Sequence, residues 1–93
     1  MKVNLKVLNK TRLESHPVEG TEEYTVNVNV TSQLGRILGG KTKVLKNKHG
    51  VFFDSDFQSS VSFQEKMTRK REIMPLIQKE ALGVIAEYDT ETK

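Results

Sequence analysis

Residues 41–57, KTKVLKNKHGVFFDSDF, decide the fold predicted for this chain. Val44 and Leu45 end one apolar run, and residues 51–53, Val-Phe-Phe, begin the next. Residues 47–50, Asn-Lys-His-Gly, supply the turn between them, because Asn tolerates a left-handed backbone and Gly takes a positive φ without a steric penalty. Two apolar runs joined by so short a connection predict a β-hairpin.

Alternating residues predict further strands before the hairpin. Residues 1–8 and 24–31 each alternate apolar with polar side chains, with a period of two. One apolar and one polar face is typical of an antiparallel sheet that is covered on one side only. Residues 9–23 are predicted as a long surface loop, and residues 32–40 fit either a helical turn or an interrupted strand. Residues 57–63 are predicted as a further short strand.

The C-terminal segment is predicted to be a helix. Pro75 suits the first helical position, where its missing N–H costs nothing. Ile77, Ala81, Val84 and Tyr88 then recur at helical spacing. The prediction is therefore an α+β fold, with an antiparallel β-sheet of four to five strands and a C-terminal α-helix packed on one face. It forms one domain over residues 1–93.

Composition narrows the class of protein. The 93 residues are 35% apolar and include four Phe but no Trp, so the Phe side chains are assigned to the core, which leaves few aromatics to stack on a ligand. Cys is absent, which excludes disulfides and thiolate metal sites. The N-terminus lacks the apolar run of a signal peptide, and no segment reaches the ~20 apolar residues that cross a bilayer. We expect a cytoplasmic protein without membrane contact.

The charge is unevenly distributed along a chain whose net charge is only +3. Residues 36–53 hold five Lys/Arg and no acid, and residues 66–71 form a second basic cluster. Such asymmetry indicates either an anionic partner or a solvated Lys-rich strand face that opposes edge-to-edge pairing. The candidate nucleic-acid-binding residues are Lys41, Lys43, Lys46, Lys48, Lys66, Arg69, Lys70 and Arg71.

One nucleotide-binding pattern occurs in the sequence. Residues 35–42, GRILGGKT, satisfy the Walker A pattern, which requires a strand before it and a helix after it. The turn-like residues that follow Thr42 do not suit that helix, so the glycines are predicted to form a bulge or bend. The two histidines, His16 and His49, have no metal-ligand spacing, and no catalytic constellation is evident. We therefore predict no enzyme, cofactor, metal or small-molecule substrate.

Three segments in the second half of the chain resemble the stage V sporulation protein G (SpoVG) family of small bacterial regulators. They are residues 44–53, VLKNKHGVFF, which look like the family's hairpin, residues 71–76, REIMPL, and residues 84–88, VIAEY, which look like its final helix. The resemblance implies an antiparallel sheet with a C-terminal helix, a homodimer built through strand contacts, and binding of DNA or RNA in gene regulation. The segment between Pro75 and the final helix is shorter here than in the family.

The leading hypothesis is thus a dimeric nucleic-acid-binding regulator, in which the basic residues of 41–48 and 66–71 contact phosphates. The alternative is a protein-interaction module of the same fold that uses its sheet edges and binds no nucleic acid. A third hypothesis, a small phosphate-binding enzyme built on residues 35–42, depends on a Walker A geometry.

Overall fold

The computed structural model describes residues 1–33, 35–69 and 72–91, and it has an α+β fold. The elements in chain order are β1 (Lys2–Arg12), β2 (Glu22–Ser32), β3 (Gly35–Asn47), β4 (Gly50–Phe53), α1 (Ser55–Thr68) and α2 (Ile73–Glu91). The four strands form one antiparallel sheet in the order β1-β2-β3-β4, and α2 packs against it. The predicted fold class is confirmed.

The hairpin predicted from residues 41–57 joins β3 to β4. Asn47 is paired with Gly50, so that two residues form the turn. The side-chain oxygen of Asn47 accepts a hydrogen bond from the backbone N–H of His49 at 2.8 Å, and Gly50 has a φ of 128°. The positive φ of Gly50 is as predicted, whereas Asn47 does not adopt a left-handed backbone and contributes to the turn through its side chain instead.

The connection between β1 and β2 is shorter than the loop predicted over residues 9–23. Both strands continue into polar sequence, and Arg12 lies opposite Glu22 in the pairing. His16 organises the loop that remains, because its Nδ1 accepts a hydrogen bond from the backbone N–H of Val18 at 3.1 Å. The buried Thr21 donates its hydroxyl to the Val18 carbonyl at 2.7 Å. The alternation of apolar residues did not reveal these strand ends, because cross-strand pairing of polar residues extends them.

Residues 35–42 lie entirely within β3, and more strand follows them. The register shifts where Val30 pairs with Leu38 but Thr31 pairs with Arg36, so that Ile37 is the extra residue of a bulge. A bulge is what the sequence predicted for this glycine-rich segment. An extended strand does not turn its amides around a phosphate, and no helix begins at Thr42. The hypothesis of a phosphate-binding enzyme therefore lacks the Walker A geometry that it requires.

The strand predicted over residues 57–63 is wrong, because this segment belongs to helix α1. Phe57 and Val61 lie one helical turn apart and face the core; Val61 is fully buried and Phe57 stacks on Phe53 with a centroid distance of 5.1 Å. Phe63 points away from the core and is 58% exposed. Phe57 and Val61 fit a helical turn as well as a period of two, whereas Phe63 fits only the period of two, and burial against the sheet decides for the helix.

Helix α2 begins two residues before the predicted start. Pro75 is its third residue, where the N–H would have no intrahelical acceptor, so proline is still tolerated. The preceding backbone N–H, that of Met74, donates to a carboxylate oxygen of Glu65 at 3.3 Å, which ties the start of α2 to α1. Gly83 lies on the exposed side of α2 with no atom within 4 Å of its missing Cβ, so it does not serve close packing on the sheet.

Both helices cover the same face of the sheet, and we call them together the helical layer. The buried core between the two layers consists of Leu5, Tyr24, Val26, Val28, Val30, Val44, Phe53, Val61, Ile73, Ile77, Ala81 and Ile85. Every second residue of β2 belongs to this set, which leaves the intervening residues on the opposite side. Among the described residues, no helix is both long enough and apolar enough to span a membrane.

Candidate nucleic-acid interface

No element of the described residues covers the face of the sheet opposite the helical layer, and we call it the open face. Residues that lie opposite each other in adjacent strands point to the same side, so the pairing defines which residues belong to it. The open face contains Lys2, Asn4, Lys6, Asn9 and Thr11 of β1, Glu23, Thr25, Asn27, Asn29 and Thr31 of β2, Arg36, Gly39, Lys41, Lys43 and Leu45 of β3, and Phe52 of β4.

Cations occupy both outer positions of two rows that cross the open face. In one row Asn27 lies between Lys6 and Lys41, and in the other Thr31 pairs with both Lys2 and Arg36. Neighbouring strands are about 4.8 Å apart, so the two cations of a row are separated by about 10 Å at the backbone. The central β2 residue of each row is a small amide or hydroxyl side chain. In these rows the open face thus has neutral polar side chains on the central strand β2 and positive charges on the strands at either side.

The positive charge of this face is largely uncompensated. It holds five Lys/Arg and a single acid, Glu23. Glu23 forms an ion pair with Lys43 at 3.0 Å, and the other four cations form no ion pair within the described part of the chain. Solvent-exposed charges of one sign raise the local concentration of an oppositely charged partner.

A shallow depression crosses the open face beside Arg36. The Arg36 side chain extends over Gly39, where a Cβ atom would come within 3.0 Å of its Cδ. Asn27, Asn29 and Thr31 line the same depression. The side-chain oxygen of Asn29 is buried there and accepts no hydrogen bond from any described residue. The depression is therefore lined by the Arg36 guanidinium, and the amide oxygen of Asn29, which has no partner among the described residues, lies beneath its surface.

The helical layer carries the opposite charge. Helices α1 and α2 contain six Asp/Glu and two Lys between them, and Arg69 directly after α1 adds a third cation to this layer. Among the described residues the helical layer has an excess of acids and the open face has an excess of cations, so an anionic polymer would be attracted more strongly to the open face. The separation of charge between the two sides indicates which one faces an anionic ligand.

One basic residue from the predicted site is neutralised within the fold. Lys46 lies on the helix-covered side of β3, and its Nζ contacts a carboxylate oxygen of Asp89 at 3.1 Å. Asp89 also accepts hydrogen bonds from Lys10 Nζ and from the Tyr24 hydroxyl, each at 2.9 Å. Glu22 completes the group through its ion pair with Lys10 at 2.8 Å. We call these five residues the Asp89 cluster; it joins the end of α2 to β1, β2 and β3.

Titration properties follow from these contacts. Partial burial alone would raise the pKa of Asp89, but hydrogen bonds from Lys10, Tyr24 and Lys46 outweigh it and hold that pKa below its usual range. Burial, and then the hydrogen bond to Asp89, raise the pKa of the Tyr24 hydroxyl. Hydrogen bonds to Glu22 and Asp89 raise the pKa of Lys10. All three groups stay in their paired states at neutral pH, so the cluster contributes no unpaired charge to a ligand.

The eight candidate residues from the sequence are distributed over several parts of the molecule. Lys41 and Lys43 lie on the open face, Lys46 lies in the Asp89 cluster, and Lys48 is exposed in the β3–β4 turn. Lys66 and Arg69 belong to the end of α1 in the helical layer. Lys70 and Arg71 lie outside the described residues. The structure thus brings Lys41 and Lys43 together, and it separates them from Lys46, Lys66 and Arg69.

Three cations of the open face were not among those candidates, namely Lys2, Lys6 and Arg36. The signal for Lys2 and Lys6 was the alternation within residues 1–8, which places lysines on the polar face of the first strand. That pattern does not tell which strand lies next to β1. Pairing of β1 with β2, and of β2 with β3, brings these lysines onto the same surface as Lys41.

The expectation that every Phe belongs to the core is wrong for two of the four. Phe52 is 46% exposed on the open face, and Phe63 is exposed on α1. Phe53 is buried, and Phe57 packs against it. The chain thus has aromatic side chains available to a ligand.

By its fold and this surface, the chain is an α+β protein with a basic, amide-lined and uncovered β-sheet face. Comparison with protein-family models, with curated proteins and with solved structures gave no match in any of the three. The resemblance to the SpoVG family stays a prediction from the sequence.

Proposed function

We propose that this protein binds DNA or RNA through the open face and acts in gene regulation. The observation that carries the proposal is the presence of five cations and one acid on an uncovered face, against an acidic helical layer. Lysine and arginine at the surface gain free energy from phosphates chiefly by releasing counterions from the nucleic acid. The asparagine and threonine side chains between them supply neutral donors and acceptors to the sugar-phosphate backbone.

Two variants with equal losses of charge test the site. The first is Lys6→Gln with Arg36→Gln and Lys41→Gln, which removes three cations from the open face. The second is Lys66→Gln with Arg69→Gln and Lys79→Gln, which removes three cations from the helical layer. Because both lower the net charge by three, a difference between them reports position rather than overall charge. Affinity for DNA and RNA fragments is measured by fluorescence anisotropy at several salt concentrations.

We expect the open-face variant to lose most of its affinity and to show a shallower dependence of log K on log salt. Each lost phosphate contact reduces that slope by about 0.7 for a single strand and 0.9 for a duplex. The helical-layer variant should bind nearly as the parent does. Equal losses in both would mean that binding reports only net charge, and the reverse order would favour the site at residues 66–71. If the parent binds neither DNA nor RNA at low salt, the proposed function is wrong.

We also propose a homodimer formed through sheet edges, as the SpoVG resemblance implies. Within the described residues, β1 has a partner on one side only, and β4 pairs with just the last part of β3, residues 44–47. The unpaired backbone of these edges supports pairing with a second copy. Sedimentation at micromolar concentration should give about twice the chain mass, and a monomer there would count against it. A cytoplasmic location stays a prediction of the sequence.

The alternative function, a protein-interaction module, has one observation in its favour. Phe63 and Met67 lie one turn apart on the outer side of α1 and are 58% and 67% exposed. Neighbouring exposed apolar side chains are typical of a contact surface. This module would bind its partner through an apolar contact that salt does not weaken. Changing both residues to Ser should then abolish that interaction, while nucleic-acid binding would be absent from the start.

A further inference from the structure

One aromatic side chain, that of Phe52, is exposed on the open face. Phe52 follows Val51 in β4 and lies opposite Leu45, so its side chain points away from the helical layer. Its neighbour Phe53 points the other way and is only 5% exposed. Phe52 contributes a cross-strand contact with Leu45, for which an aliphatic side chain would suffice. Its aromatic ring remains accessible from the side on which the cations lie.

The position of Phe52 relates it to the basic rows. It shares a row with Glu23 and Leu45, and the next row along β3 contains Lys43. Successive residues on one face of a strand are about 7 Å apart, so Lys43 and Lys41 follow at about 7 and 14 Å from the Leu45 row. The open face therefore has an exposed aromatic side chain on β4, at one edge, and cations on β1 and β3.

The shape of this surface distinguishes between forms of nucleic acid. A four-stranded sheet face has no protruding helix or two-stranded ribbon of the kind that enters the major groove of a duplex. Single strands expose the faces of their bases, and these stack on aromatic side chains while the backbone follows a basic groove. An aromatic side chain near Lys43 and Lys41 of β3 fits the second arrangement.

We propose that the open face binds single-stranded nucleic acid in preference to duplex, and that Phe52 is a base-stacking residue. The phosphates of the strand contact the cations of β1 and β3, and one base lies on the Phe52 ring. The inference rests on the proposed function, since a base reaches Phe52 only if the backbone is held by the open face. Stacking tolerates any base, so little sequence preference is expected from this contact.

The substitution Phe52→Leu tests the ring while keeping an apolar contact with Leu45. Removal of a stacking contact costs between about five- and 150-fold in affinity. We expect a loss in that range for single-stranded probes of about twelve nucleotides, oligo(dT) and oligo(U), and little change for a duplex of the same length. The matched control is Phe63→Leu, which removes the other exposed Phe from the opposite side of the molecule and should leave binding unchanged.

A second variant reports the contact directly. The chain contains no Trp, so Phe52→Trp introduces a single indole at the proposed contact. Its fluorescence should be quenched when oligo(dT) is added, with a midpoint that matches the anisotropy titration. The corresponding variant Phe63→Trp should show no quenching.

The outcomes separate this inference from the proposed function. If the parent binds single strands and Phe52→Leu binds them equally well, the stacking contact is wrong while the open face stands. Equal affinity of the parent for single strands and duplex would also overturn it. If Phe52→Leu weakens binding and also lowers the mass measured by sedimentation, Phe52 is a subunit contact and not a stacking residue. A parent that binds no nucleic acid overturns both proposals.

Discussion

Lys41 and Lys46 lie five positions apart in β3 but on opposite faces of the sheet, and their surroundings differ completely. Lys41 is exposed on the open face and has no ion pair within the described residues. Lys46 contacts Asp89 on the face covered by the helical layer. Because side chains alternate along a strand, one basic run supplies both a candidate ligand contact and a structural ion pair. Basic residues close in sequence therefore do not form one site.

The largest expected loss of stability comes from a substitution on the covered face of the sheet. Ile77→Ala deletes a fully buried side chain where α2 meets the sheet, and such substitutions lower the free energy of unfolding by about 2–5 kcal/mol. Leu82→Ala, on the same helix but 55% exposed, should change it by less than about 0.5 kcal/mol. Urea denaturation of both variants measures the difference. Equal effects would mean that α2 is not anchored by its buried stripe.

A smaller loss of stability is expected from Asp89→Asn. The amide keeps the shape of the side chain but removes the charge to which Lys10, Tyr24 and Lys46 donate. Hydrogen bonds to charged groups contribute more than neutral ones, and partial exposure screens them, so we expect a loss of about 1–2 kcal/mol. Thermal unfolding measures it. Glu87→Gln, on the exposed side of the same helix, is the matched control and should be neutral.

The Asp89 cluster also predicts acid sensitivity. A carboxyl whose pKa is lower in the folded than in the unfolded state stabilises the fold above its unfolded value, and that contribution is lost as the pH falls through the folded pKa. The loss should therefore begin below pH 3.8, the ordinary value for Asp. Urea midpoints recorded from pH 7 to pH 2 should fall more steeply for the parent than for Asp89→Asn. Parallel curves would contradict a role for Asp89 in this pH range.

Substitutions of Lys41 and Lys46 test directly whether the two lysines have different roles. Lys41→Gln should reduce the slope of log K against log salt for nucleic-acid binding by about 0.7–0.9 and leave stability unchanged. Lys46→Gln should do the reverse: an unchanged slope, and a loss of stability between a few tenths and about 1 kcal/mol, because the pair is partly exposed. Anisotropy and urea denaturation of both variants complete the comparison. Equal slopes for the two would place Lys46 in contact with the ligand.

The smallest effect concerns Mg-ATP. Residues 35–42 form part of β3, so Lys41 does not sit at a helix N-terminus as a nucleotide-binding lysine would. We expect the melting temperature of both the parent and Lys41→Ala to be unchanged by Mg-ATP. A rise in the parent that is lost in Lys41→Ala would restore the phosphate-binding enzyme.

Local sequence patterns were enough to predict much of the fold. The alternation within residues 24–31 fixed a strand with one buried face, and the Asn47–Gly50 turn fixed the hairpin, because both depend on neighbouring residues alone. The stripe containing Ile77 and Ala81 fixed a helix with its buried side. Helix α1 was not predicted, because Phe57, Val61 and Phe63 together fit the period of two of a strand, and only burial shows that Phe63 does not share the face of the other two.

The candidate site depended on contacts that no local pattern contains. The sequence determined that Lys2 and Lys6 lie on the polar face of one strand, and it placed Lys43 at the end of another strand whose faces it left open. Only the strand order brought these faces together, because β2 lies between them and pairs with both. The tertiary structure also excluded Lys46 from the candidate site, because Lys46 pairs with Asp89, which is 43 positions away in the chain. Side-chain alternation is a property of each strand, whereas the neighbour of a strand is decided by how the whole sheet buries its apolar face.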